Sequence, residues 1–410
     1  MKNLLTIYKG QELSTLSQDQ LDQLSIVDIH SILLVEDPEK IPVIIKKLSQ
    51  EKLLALVDLS SWNKDRFDVV NFTTWLKVIL AMQPFEALQQ IKRLDQPELA
   101  LFLTSVVELS WFNVEQNYDG NPFITPDRTF VIYPREDDNN DGESEIYRVA
   151  VDVINLSYLE STQYGRSLCL DAMKSIKATD EEDCYRVKNA RLADEGIPSY
   201  IDALELFHYE DPTKLLKRII KMVGDKSCKK SPPISEYIIS EFAVVPKSYW
   251  DSFDVSPELL DSIQVELSAL LTASVVMNNT ATAGEKYIRE VIERSKNYFD
   301  LGMELIKDNT SVRFNELLQY VQLRHIFRLG FSLVVDLRKN ANNLKIAIEA
   351  MKRPDVVTPD EEEFIKKLTL PIPLFQKTLL DKAIPFENLV QLKEARKMLS
   401  ELAGKVIKTN

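Results

Sequence analysis

Between Asp37 and Leu103 the order of apolar and polar positions runs through the same phrase twice. Asp37-Pro38 is followed ten residues on by Leu48 and then Ser49-Gln50. Gln83-Pro84 is followed ten residues on by Leu94 and then Asp95-Gln96. Two cations precede each leucine, Lys46-Lys47 and Lys92-Arg93. Helix-spaced apolar positions follow it: Leu53, Leu54 and Leu56 in the first phrase, Leu99, Leu101 and Leu103 in the second. A half phrase lies upstream, where Leu16-Ser17-Gln18 leads to Leu21 and Leu24. Recurrent segments of this length predict helix pairs that bury their apolar faces only by stacking on neighbours. The expected fold is therefore mainly α, with a helical-repeat superhelix over residues 1–115 followed by a helical bundle.

Helix starts support this. Ser17 and Ser25 stand three residues before Gln20 and Asp28, as capping residues do, and Asp37-Pro38 places proline in a first turn. Asp68 is expected to cap a helix that carries Phe72, Trp75, Leu76, Ile79 and Leu80. After Trp111 the pattern changes. Pro122, Pro126 and Pro134 come close together, and Thr129–Tyr133 has the β-branched and aromatic density of a strand. Ile146–Ile154 reads as its hairpin partner or as the opening of a helix, so residues 116–156 form a hairpin and acidic-loop insertion. A helical segment is expected over 157–225, with acids early and bases late in Glu181–Glu195 and a stop at Gly196-Ile197-Pro198. The basic, proline-containing stretch 226–233 marks a boundary. Residues 234–410 form a C-terminal helical domain with long helices over 258–277, 285–307 and 314–339. An acidic, proline-bordered connection spans 354–373, and from Asn388 a cationic helix suits an acidic face.

Charge and composition narrow the function. The 410 residues carry a formal charge of −13 and are 45% hydrophobic, enough for a sizeable core. Nucleic acid is not the expected partner, because phosphate neutralisation needs a basic face. Cys169, Cys184 and Cys228 show no CxxC spacing, which fits a reducing compartment. No apolar run is long enough for a membrane span and no signal-peptide core is evident, so a cytoplasmic, soluble protein is expected. The ten glycines are scattered, so no loop can cradle phosphate in the P-loop or dinucleotide-binding manner. There is no HExxH. Gly165-Arg-Ser167-Leu-Cys169 lacks the second glycine of a nucleophile elbow.

Few residues then offer chemistry. Trp62, Asp65, Arg66 and Asp68 set a close Asp-Arg-Asp group before Trp75, and Arg186 and Arg191 lie on one predicted helix. All six are candidate binding residues, although buried tryptophans with one satisfied arginine are also ordinary packing. Asp137-x-Asn139-x-Asp141-Gly142 matches the first half of a calcium loop, with Mg or Ca as the possible ion. Its twelfth position is Arg148 rather than an acid. Arg324, Arg328 and Arg338 could line a phosphate or carboxylate site, or pair with nearby acids. No catalytic residue and no cofactor is predicted.

Three stretches carry a resemblance: Trp62-x-x-Asp65-Arg66-x-Asp68 ahead of Trp75-Leu76; Tyr185-Arg186 through Arg191-Leu192-Ala193-Asp194-Glu195-Gly196-Ile197-Pro198; and Tyr298 through Leu301-Gly302 with His325–Gly330. Together they resemble an uncharacterised bacterial family, a domain of unknown function. The likeness implies a mostly helical protein and brings no activity. The first hundred residues also resemble the superhelical regulatory domain of MgtE-type magnesium transporters, which implies a cation-sensitive role. The expected function is a protein-interaction scaffold or regulator with another protein as partner. A divalent-cation-responsive regulator is second and an unrecognised hydrolase third.

Overall fold

The computed structural model describes residues 13–34, 36–118, 122–135, 145–226, 257–279, 282, 284–351, 357–376 and 382–409. The fold is mainly α, with small antiparallel sheets of two or three strands. Two compact units form, one from 1–199 with 281–285 and one from 200–280 with 286–410. The division thus falls at Ser199, ahead of the basic stretch 226–233.

In the first unit, α1 (Gln18–Asp22), α2 (Ile26–Leu33), α3 (Ile41–Lys47) and α4 (Gln50–Ser60) lead into a short hairpin, β1 (Trp62–Asn63) and β2 (Arg66–Phe67). Then come α5 (Val69–Leu80), α6 (Pro84–Ile91) and α7 (Gln96–Val106). The duplicated phrase has a common local outcome. In each copy a short helix leads to a buried leucine, Leu48 as the C-cap of α3 and Leu94 three residues after α6, and Ser49 or Asp95 stands as N-cap of the next. The second cation of each pair serves the preceding joint. Lys47 Nζ donates to Ser14 O at 2.6 Å and Leu16 O at 3.1 Å, and Arg93 donates to Ile45 O at 3.2 Å and to Leu48 O. Helix-end carbonyls that would otherwise lack donors are closed in this way. Leu21, Ile44, Leu53, Leu76, Leu99 and Phe102 share one core.

The expected hairpin near 129–154 is built differently. β5 (Phe130–Pro134) is the middle strand of three, between β3 (Val107–Trp111) and β4 (Phe123–Ile124), with Leu109 and Phe123 both opposite Ile132. Ile146–Ile154 lies within α8 (Glu145–Glu160). The reason is periodicity: Val149, Ala150, Val153, Ile154 and Ser157 are buried at helical spacing, which overrides local strand propensity. α9 (Thr162–Lys174) and α10 (Lys177–Asp194) complete the unit.

The second unit contains α11 (Tyr200–Leu206), α12 (Pro212–Gly224), α13 (Pro257–Met277), α14 (Glu285–Asn309), α15 (Phe314–Tyr320) and α16 (Leu323–Met351). After these come α17 (Pro359–Thr369), the strand pair β6 (Leu374–Phe375) and β7 (Ile384–Pro385), and α18 (Leu389–Thr409). The helix expected over 314–339 is broken at Val321, where Glu266 of α13 accepts the Leu323 N–H at 2.8 Å. The acidic connection contains α17, opened by a reciprocal capping box between Thr358 and Glu361. The cationic α18 meets acids on three helices: Lys393 with Asp308 at 2.7 Å, Arg396 with Asp336 at 3.1 Å, and Lys405 with Glu361 at 2.9 Å.

α14 and α16 cross where Gly302 faces Gly330. A Cβ on Gly330 would lie 1.7 Å from Tyr298 O, and one on Gly302 2.1 Å from Ile326 O. Backbone meets backbone here, so nothing flexible can yield. Gly330→Ala should therefore lower unfolding free energy by at least about 2 kcal/mol in urea titration. Gly224→Ala, with no neighbour within 4 Å, should stay near wild type.

Candidate functional site

The most heavily charged enclosed place in the first unit lies where α10 rests on both α4 and α7. Those two helices carry the apolar positions Leu53–Leu56 and Leu99–Leu103 of the duplicated phrase. The chain's own α10 covers them.

Charge holds it there. Arg191 grips Asp58 with two nitrogens, Nε to Oδ2 at 2.6 Å and Nη2 to Oδ1 at 3.0 Å. Nη1 bonds Asp95, and Nη2 also reaches Glu98 Oε1 at 3.0 Å. Asp58 is 0% and Glu98 3% exposed. Burial, the Asp58 charge and a hydrogen bond to Asp58 push the Glu98 carboxyl well above the usual range, against the pull of Arg191. Loss of the Glu98 proton is thus disfavoured by burial and by Asp58, and favoured only by Arg191. One turn earlier on α10, the buried Lys188 ammonium sits 4.8 Å from the Tyr185 ring and 5.5 Å from the Trp62 ring. Desolvation lowers its pKa to about 8, with Asp58, Glu98 and Asp65 pulling the other way. The buried Cys184 thiol is pushed up to about 12, chiefly by burial and then by Glu98.

The two copies of the phrase meet α10 with opposite charges. Three residues after the Ser49 cap stands Lys52, which pairs with Glu195 at 2.7 Å. Three residues after Asp95 stands Glu98, which takes Arg191. A slip of α10 by one turn would set like charges together. The helix then stops: Gly196 at φ 78° donates to Ala193 O at 2.9 Å and Ile197 N to Leu192 O at 2.8 Å, the paired bonds of a Schellman end. The Arg-Leu-Ala-x-x-Gly-x-Pro phrase is thus a clamp followed by a stop.

The six candidate binding residues do not converge. Trp62 is buried, edge-on to Phe67 with ring centroids 5.4 Å apart and 5.7 Å from Tyr185, and so walls the Lys188 side of the cluster. Arg191 is its centre. Asp65 is exposed in the β1–β2 turn and acts on Lys188 only through its field. Arg66 is exposed on β2. Asp68 caps α5, accepting from Asn71 N at 3.0 Å. Arg186 is exposed and bonded to Glu182 and Asp183 of its own helix. Asp58, Glu98 and Lys188 were not foreseen. Their one signal is a charged letter inside an otherwise buried helical face, as in Leu54-Ala-Leu-Val-Asp58-Leu.

The cluster is closed, since Asp58, Glu98, Cys184 and Lys188 are all buried. A surface depression of about 430 Å³ lies on α9, lined by Thr162, Gln163, Arg166, Ser167 and Leu170, and shares none of these residues. Among the described residues no group of three or more His, Cys, Asp or Glu is placed to hold a metal ion. Asp137, Asn139 and Asp141 lie outside the described residues. No helix among the described residues is long and apolar enough to cross a membrane.

These features define a mainly helical protein whose first unit closes over its own ion cluster. A model of a family of unknown function, DUF6178, matches residues 33–407, and the chain belongs to that family. No curated protein and no solved structure matches it. The likeness to MgtE-type transporters has no support in these comparisons.

Two outcomes follow from the cluster. Arg191→Met strands Asp58 and Glu98 without their cation and should cost about 3–5 kcal/mol of stability. Glu98 has a sharper signature. Its raised folded-state pKa means that the fold holds the proton to higher pH than the unfolded chain, which releases it above about pH 4.3. Stability therefore falls as pH rises through that range, by up to about 1.4 kcal/mol per unit. Glu98→Gln keeps a donor for Asp58 and an acceptor for Arg191 but has no proton to lose. Its stability relative to wild type should climb as pH rises above about 5 in urea titrations. Parallel profiles would show that Glu98 is ionised in the fold.

Proposed function

We propose that this chain is a protein-binding scaffold of the cytoplasm, with its first 115 residues acting as a short helical repeat. The observation that carries this is Trp111. It ends strand β3 with 59% of its surface exposed, propped on Phe130 at 5.1 Å between ring centroids, and Val114 just beyond is 84% exposed. Large aromatic side chains held by a rigid sheet are the usual anchors of protein interfaces, and solvent gives them no stabilising role of their own. Two further points support the reading. The groups best suited to chemistry, Lys188, Glu98 and Cys184, are enclosed, which favours a structural part for them. Cys169 and Cys184 are free, buried thiols, as suits a reducing compartment.

The test is chemical cross-linking of the full chain in its native host, with identification of the linked peptides by mass spectrometry. Wild type should give reproducible links to one other protein from Lys174, exposed at the end of the helix packed against β3. Trp111→Glu should remove that partner, with affinity in a purified pair at least about tenfold weaker. Leu159→Glu, exposed on α8, should leave it bound. A partner retained by Trp111→Glu, with unchanged affinity, would refute the assignment.

A further inference from the structure

The second unit gathers positive charge that it does not neutralise. α12 carries Lys214, Lys217, Arg218 and Lys221 and no acidic residue, in a chain whose net charge is −13. Beside it runs α16, whose first turns present Arg324, His325 and Arg328.

Hydrogen bonds fix the arrangement. Arg328 Nη2 donates to the Glu205 carbonyl at 2.7 Å. Arg218 Nη2 pairs with Glu210 Oε2 at 2.8 Å, and Glu210 N donates to Ser332 Oγ at 3.2 Å, one turn along α16 from Arg328. Only one of the three guanidiniums therefore has a carboxylate in contact. Arg328 spends its charge on a neutral carbonyl. Arg324 is exposed and pairs with no carboxylate among the described residues. The Nε atoms of Arg218 and Arg328 and Nδ1 of His325 are enclosed without hydrogen-bond partners. Arg324 and Arg218 act on the groups between them. Burial first, then Arg324, Arg218 and Arg328, lower the His325 pKa to about 4, so the imidazole is neutral at physiological pH. Burial and the neighbouring Arg324 and Arg218 likewise depress Arg328, against Glu210 and Glu205.

We propose that Arg218, Arg324 and Arg328 form a binding site for a small phosphate-bearing ligand, with His325 as a lining group. Guanidinium forks match the oxygens of a phosphate, and a dianion relieves the repulsion among three cations where a single carboxylate would not. The ligand is small because the cluster spans only a turn or so of α16 and of α12, and the acidic remainder of the chain repels an extended polyanion such as nucleic acid. The site rests on the second unit alone and is independent of the Trp111 surface.

Isothermal titration of the full chain at constant ionic strength tests this, with inorganic phosphate, pyrophosphate, glucose 6-phosphate and, as control anion, acetate. Wild type should bind at least one phosphate species saturably with Kd below about 1 mM, and acetate at least about tenfold more weakly. Arg324→Gln removes an exposed side chain that holds nothing in the fold. It should keep the wild-type melting temperature and weaken phosphate binding about tenfold or more. Arg313→Gln, exposed and paired with Glu316 on its own helix, should bind as wild type does. Stronger binding of the sugar ester than of the inorganic ions assigns an organic phosphate, and the reverse assigns the free ion. No saturable phosphate binding by wild type, or equal binding by Arg324→Gln, would overturn the proposal.

Discussion

Arg191 is the pin on which the first unit turns. Three carboxylates from two helices, two of them sealed from solvent, converge on one guanidinium from a third helix. A buried ion pair is a poor source of net stability, because taking the charges out of water costs about what their attraction returns. Its worth lies in selection. Leucine faces would tolerate α10 in several axial positions. Asp58 and Glu98 tolerate only the one that supplies Arg191 between them, and the Lys52–Glu195 pair restricts it again one turn further on. The raised pKa of Glu98 belongs to the same logic, since burial and Asp58 both resist a further negative charge there. Asp58 and Asp95 already face Arg191, and Lys188 lies against the rings beside them.

That arrangement explains why the repeated phrase does not produce an open groove. An isolated stack of helix pairs leaves one apolar seam uncovered, which is what makes such folds binders. Here the polar letters that interrupt the seam, Asp58 in one helix and Glu98 in the other, are costly if left bare and cheap once α10 is seated. The two phrase-bearing helices and the α10 that covers them thus form one unit, folded from segments up to 143 residues apart. Trp62 and Tyr185 seal the edge of that contact, with the Lys188 ammonium against their rings.

Much of the fold could be read locally because its signals are local. Ser17, Ser25, Ser49 and Asp68 cap the helices they precede, and Gly196-Ile197-Pro198 stops α10. What escaped was set from a distance. The break at Val321 carries no glycine or proline, since its cap is the Glu266 carboxylate 57 residues earlier. The partner of β5 could not be chosen from strand propensity, because β3 is the continuation of a helix and Ile146–Ile154 obeys a helical period. The site was least legible of all. Arg66, Asp68 and Trp62 are neighbours in sequence but face three ways, whereas the partners of Arg191 lie 93 to 133 residues from it.

The two units treat arginine in opposite ways, and the contrast bears on function. In the first, a guanidinium is surrounded by carboxylates and the account closes within the chain. In the second, Arg218 has one acid, Arg328 a carbonyl, and Arg324 solvent. The protein is not short of acids: it has 63 acidic residues to 50 basic ones, and α18 shows three of them matched to cations across helices within the same unit. A fold that pairs Lys393, Arg396 and Lys405 with acids from separate helices yet leaves guanidiniums of α12 and α16 in mutual repulsion has a local electrostatic cost. The phosphate site proposed above would relieve that cost. Position supports the same conclusion. Arg324 and Arg328 open α16, where the helix dipole is positive and cations gain nothing from the backbone, so the field there favours an anion.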